Sequence, residues 1–248
     1  MELSALALAR APGGRAPGER ASGGWLVQTP AGEAPADEAA VSGVLAALEF
    51  ARLEGFDPEL ALGEPRASLS VVLRDGRRLG AELGADLGGN RVAVRRLGDE
   101  LVGTAGAELL ALAQSDPAAL RSRRVHALED MEVAAVALAE GPRRARFERD
   151  PDTGRWRAPG TGGEPAHAFY SALERLLYLE ARAWLPAAPA ELAGELEVAI
   201  ERSAAGAGTY ALAFGLDPEG RAVCVLPAGG GAAEVDRALY DDLRALLQ

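Results

Sequence analysis

The chain has 248 residues and a formal net charge of −11, with 26 basic residues against 37 acidic ones. That balance argues against a general nucleic-acid binder, because neutralising phosphates requires a basic face. One cysteine, Cys224, excludes an internal disulfide, and no apolar run approaches the roughly 20 residues that span a bilayer.

Taken in order, residues 3–9 alternate weakly and predict a first strand, and Arg10 to Gly24 read as a Gly/Pro/Arg/Ser loop. A strand ending in Trp25 follows, then a loop through Pro35-Ala36-Asp37. Next, Val41, Val44, Leu45 and Leu48 mark one face of a helix, with Asp37 as its N-cap. After a turn at Gly55-Phe56-Asp57-Pro58, Leu69, Val71 and Leu73 alternate with Ser70, Val72 and Arg74, and Asp75-Gly76 offers a hairpin turn. Leu79, Ala81 and Leu83, then Val92 and Val94, then Leu101 and Val102 complete a meander of four strands whose apolar face needs a helical cover. A helix over about 105–114 stops before Asp116-Pro117.

The second half opens with Val136 and Leu138, followed by an Arg-rich strand with Ala145 and Phe147 on its apolar face. Trp156 precedes the loop Pro165-Ala166-His167 and a helix from Phe169 to Tyr178. Leu196, Val198 and Ile200 alternate with Glu195, Glu197, Ala199 and Glu201 in the clearest half-buried strand of the chain. Leu212 and Phe214, a turn at Asp217-Pro218-Glu219-Gly220, and Val223 and Val225 continue the sheet. Val235, Ala238, Leu239, Leu243 and Leu246 predict a last helix. Cys224, inside an alternating strand, reads as a small buried hydrophobe.

The halves resemble each other. Trp25 and Trp156, Pro35 and Pro165, Val41 and Phe169, Arg91 and Arg221, and Leu109 and Leu239 recur at one spacing to within a few residues. A long-period duplication predicts an α+β chain of two tandem repeats, residues 1–124 and 125–248. Each would be an antiparallel meander covered on one face by about two helices. The first copy is expected to have lost or distorted one hairpin arm.

The segment order resembles a known family. Trp25, the Pro35-Ala36-Asp37 loop, the helix, the meander and then Asp116-Pro117-Ala118-Ala119-Leu120-Arg121-Ser122-Arg123-Arg124 before a new strand are similar to a bacterial domain-of-unknown-function family. Its members accompany ABC transporters of the gliding-motility type. They usually begin with one transmembrane helix and expose a repeated α+β region outside the cytoplasmic membrane. The resemblance therefore implies an accessory protein at the extracytoplasmic (periplasmic) face, with permease or ATPase subunits as partners. This chain departs in showing no transmembrane or targeting segment, which leaves a cytoplasmic location open and predicts no direct membrane insertion. The family carries no established catalytic residues.

Candidate chemistry is sparse. His126, in Arg123-Arg124-Val125-His126-Ala127-Leu128-Glu129-Asp130, reads as part of a charged surface linker, against a pH-sensitive group held by Glu129 or Asp130. His167 has no nucleophile or partner spaced to accompany it. No Cys/His cluster or HExxH suggests a metal, and no cofactor fingerprint is present; Gly229-Gly230-Gly231 lacks the Lys and Ser/Thr of a P-loop and reads as a connector. Arg143, Arg144, Arg146 and Arg149 form either an ordinary exposed strand face or a basic strip for an acidic partner. Trp25, Trp156 and Trp184 are either core anchors or stacking surfaces. Together these predict a non-catalytic interaction module rather than an enzyme. The alternative is a solute-, glycan- or peptide-binding protein with its site between the repeats.

Overall fold

Short capping devices fix where the helices begin. The computed structural model describes residues 4–10, 24–29, 32–56, 59–73, 75–126, 128–160, 162–203, 208–227 and 230–247. In it Asp37 accepts the Ala40 N–H at 2.8 Å, Asp116 accepts that of Ala118 at 2.9 Å, and Asp236 that of Ala238 at 2.9 Å. Each satisfies a donor that the first turn leaves without an intrahelical acceptor. The loop expected over Arg10 to Gly24 lies outside the described residues at 11–23, as do Asp57, Pro58, Ala127 and Gly229. The chain divides into two compact units between Ser122 and Arg123.

The first unit contains β1 (Ser4–Arg10), β2 (Trp25–Thr29), β3 (Gly32–Pro35), α1 (Glu38–Phe50), β4 (Gly55–Phe56), β5 (Ala67–Val72), β6 (Arg78–Gly88), β7 (Arg91–Arg96), β8 (Val102–Gly106) and α2 (Glu108–Ala113). Its sheet runs β3-β2-β1-β5-β6-β7-β8-β4. The expected meander is β5 to β8, and Leu69 and Val71 are buried while Ser68 and Ser70 are not. Those residues pack with Leu6, Leu8, Val27, Val41, Val44, Leu109 and Leu110 in one core.

Two expectations are corrected here. No hairpin arm is lost: β2 pairs antiparallel with β1, with Trp25 opposite Arg10, so Trp25 opens this strand instead of ending one. Nor is the sheet purely antiparallel, since β1 and β5 run parallel, with Leu6 opposite Leu69 and Leu8 opposite Val71. A two-residue turn forces antiparallel neighbours, but the path from β1 to β5 includes β2, β3, α1 and β4, and a connection that long permits either sense.

The second unit contains β9 (Val133–Glu140), β10 (Arg143–Arg149), β11 (Trp156–Arg157), α3 (His167–Leu177), β12 (Ala183–Leu185), β13 (Ala193–Arg202), β14 (Thr209–Leu216), β15 (Ala222–Val225), β16 (Ala232–Glu234) and α4 (Arg237–Ala245). The strand order β11-β10-β9-β13-β14-β15-β16-β12 matches that of the first sheet, strand for strand in sequence order. Here, though, β9 and β13 are antiparallel. The tryptophans do not correspond, because Trp25 lies on the second strand of its unit and Trp156 on the third. Neither sheet closes into a barrel.

Strand alternation sends Val136, Leu138, Ala145, Phe147, Leu196, Val198, Ile200, Leu212 and Phe214 toward α3 and α4. Cys224 lies in this core, and burial pushes its thiol far above the ordinary range. Tyr240 of α4 is fully buried and donates its hydroxyl hydrogen to the Gly194 carbonyl at 2.7 Å. Gly194 has φ +63°, and a Cβ there would lie 2.4 Å from the Tyr240 oxygen, so only glycine fits. Tyr240→Phe is expected to cost about 1 kcal/mol in urea unfolding, the net worth of one hydrogen bond, since the exposed Gly194 carbonyl can turn to water.

Candidate functional site

Two surface features of the second unit stand out. The first is the face of its sheet opposite α3 and α4. Register places Arg144, Ala139, Glu197 and Ala213 in one cross-strand row, Arg146, Ala137, Ala199 and Ala211 in the next, and Glu148, Ala135, Glu201 and Thr209 in a third. Six alanines thus line this face, Ala135 of them buried under the charged rim, with a shallow depression of about 500 Å³ over Ala137, Ala139 and Ala199. Arg146 ion-pairs with both Glu148 and Glu201, and donates to Glu201 Oε2 at 2.8 Å. That guanidinium holds the Glu201 carboxyl below the usual range.

Both readings of the four arginines, an exposed strand face or a basic strip, put them on one side, and the geometry splits them. Neighbouring residues of a strand point to opposite faces, so Arg144 and Arg146 lie on the outer face while Arg143 and Arg149 lie on the helix side. Arg143 pairs with Glu140, which also takes Arg244 of α4 at 2.5 Å. Arg149 pairs with Asp130 at 2.8 Å and covers the Trp156 ring, its guanidinium carbon 5.7 Å from the ring centroid. Arg144 bends back onto the Gly141 and Arg143 carbonyls at 2.5 and 2.9 Å and makes no ion pair among the described residues.

The second feature is a groove of about 390 Å³ between α3 and the turn before β11. Tyr170, Glu174 and Tyr178, spaced four apart along α3 and just past its end, form one wall. Asp130, Arg149, Gly154 and Arg155 form the other, above a floor of Trp156, Leu173 and Leu177. Tyr178 is 66% exposed, and Arg124 sits 5.5 Å from its ring centroid. Tyr170 and Tyr178 were not singled out by the sequence reading. Their i, i+8 placement along the polar edge of the helix pattern, with Glu174 between them, was the available signal.

Of the three tryptophans, Trp25 is 8% and Trp156 5% exposed, so both anchor cores and neither presents a ring face for stacking. Trp184, on β12 opposite Ala233, is half-buried against the second core. Sequence reading placed His126 on a surface linker. Instead it is buried, with Nε2 2.8 Å from the Leu176 carbonyl and Nδ1 3.4 Å from the Leu128 N–H. A carbonyl can only accept, so Nε2 carries the proton and Nδ1 is the acceptor. Its ring meets Tyr210 edge-on at 5.5 Å. His167 is the exposed first residue of α3. Among the described residues no group of His, Cys, Asp and Glu is placed to hold a metal ion, and no helix is long and apolar enough to cross a membrane. No family model, curated protein or solved structure matches the chain.

Proposed function

We propose that the protein is a non-catalytic interaction module, an accessory of an ABC-type transport complex at the extracytoplasmic face of the membrane, and that its two units descend from one duplicated segment. The observation that carries the interaction reading is the α3 groove. An apolar floor under two tyrosines, one of them largely exposed, has the composition of a protein-binding hot spot. The lining charges cancel, Asp130 and Glu174 against Arg149 and Arg155, so the groove favours shape and apolar contact over a charged small ligand. The shared strand order supports duplication; the opposite sense at the central strand pair does not follow from it. The resemblance of segment order supplies the transporter.

Purification of the tagged chain from its host's membranes in mild detergent is expected to recover permease or ATPase subunits. Tyr178→Ala should reduce that recovery about tenfold, as loss of a hot-spot aromatic does. Repeated failure to recover either subunit removes the transporter from the reading. Should sugars or peptides raise the melting temperature by several degrees, and Tyr178→Ala abolish the shift, the groove is a ligand site instead.

A further inference from the structure

From the alanine-floored face of the second sheet we infer that the chain associates with a second copy of itself through that face, about a twofold axis lying along β9. The inference is independent of the transporter reading and uses the opposite side of the unit from the α3 groove.

Alanine is depleted in strands, and solvated sheet faces ordinarily carry longer polar residues. The chain is rich in alanine, yet β9, β10, β13 and β14 sort it by face: Phe, Leu, Ile and Val point mainly to the helices, and six alanines point away. A low-relief surface of this kind lets another layer approach closely. Its charges say which layer. In the first row Arg144 and Glu197 flank Ala139 from the two neighbouring strands, about 10 Å apart at strand spacing. Both are exposed, and among the described residues neither makes an ion pair. A twofold along β9 keeps every row opposite itself and exchanges β10 with β13. Arg144 of one copy then faces the partner's Glu197, and Glu197 faces the partner's Arg144, while Ala137 and Ala139 meet their own copies on the axis. This is the self-complementarity that an isologous contact demands. Arg144 has donors to spare, because its contacts to Gly141 and Arg143 use one nitrogen of the guanidinium. Arg146 pairs with both Glu148 and Glu201 and so offsets half of the carboxylate charge that repels across the third row.

Four strands by three rows cover roughly 400 Å² per copy, about 800 Å² in total, below the range of stable specific interfaces. The dimer is therefore weak and concentration-dependent. Sedimentation velocity on the full chain over a concentration series should show reversible monomer–dimer exchange. Arg144→Glu and Glu197→Arg should each raise the dissociation constant at least about tenfold, since each turns two attractions into two repulsions. The double variant R144E/E197R should restore it. Both positions of the test are exposed, and unchanged circular dichroism checks the fold. A chain that stays monomeric at its highest soluble concentration overturns the inference. So does a dimer that either single reversal leaves intact, or one that the double variant fails to restore.

Discussion

Phe169→Ala is expected to destabilise the second unit by about 3–5 kcal/mol, the range for removing a ring from a packed core. Phe169 is 2% exposed on the buried face of α3. Its ring stacks on Phe147 of β10 at 4.2 Å and 20° and meets Trp156 of β11 edge-on at 5.1 Å and 63°. Three elements thus converge on one side chain. An alanine leaves a void bordered by two rigid rings that cannot collapse into it, so the cavity cost adds to the lost transfer free energy. Phe169→Leu, which refills most of the volume, should cost less than half as much. Urea unfolding followed by tryptophan fluorescence reads both variants. If Phe169→Ala costs under 1 kcal/mol, α3 is not packed on the sheet as described.

What could be read from the sequence was whatever has a local period. Leu196, Val198 and Ile200 announce β13 because alternation with glutamates leaves no other arrangement with a single apolar face. Asp37 and Asp116 announce helix starts through chemistry confined to three residues. By contrast β3, β4, β11, β12 and β16 are two to four residues long, as in Trp156–Arg157, and too short to show a period. Strand sense across β1 and β5 depends on a long connection, about which local pattern is silent. The split of Arg143 from Arg144 was legible and was overlooked: a strand cannot show two consecutive side chains on one face. Tyr170 and Tyr178 mattered for the groove only once the end of β10 with Arg149 and the turn leading to Arg155 were known to lie opposite. His126 was misread because arginines and acidic residues around it resemble a solvated linker. Its burial comes from Leu176 and Tyr210, distant in sequence and invisible to local pattern.

Stability is expected to fall by about 3 kcal/mol as the pH drops from above 6.5 to below 4, through His126 alone. Burial of the ring, and next to it the positive charge of Arg124, outweigh the Leu176 carbonyl and hold the folded pKa at about 4, against 6.5 in the unfolded chain. The sign follows from proton counting. Above pH 6.5 the ring is neutral in both states and contributes no pH dependence. Between 6.5 and 4 the unfolded chain binds a proton that the folded one refuses, so acid favours unfolding; below 4 both are protonated and the loss is complete. Protonation would also turn Nδ1 into a donor facing the Leu128 N–H, two donors head to head. His126→Asn keeps an acceptor near the Nδ1 position but cannot titrate. It should be less stable than the parent at pH 8 by about 1–3 kcal/mol, having lost the bond to Leu176. Its pH profile between 6.5 and 4 should be flatter, so that the two stabilities converge toward pH 4. The exposed His167 and the carboxylates are common to both chains and cancel in the comparison. Parallel profiles would mean that His126 takes up its proton inside the fold without cost, which the packing against Leu176 and Tyr210 does not allow.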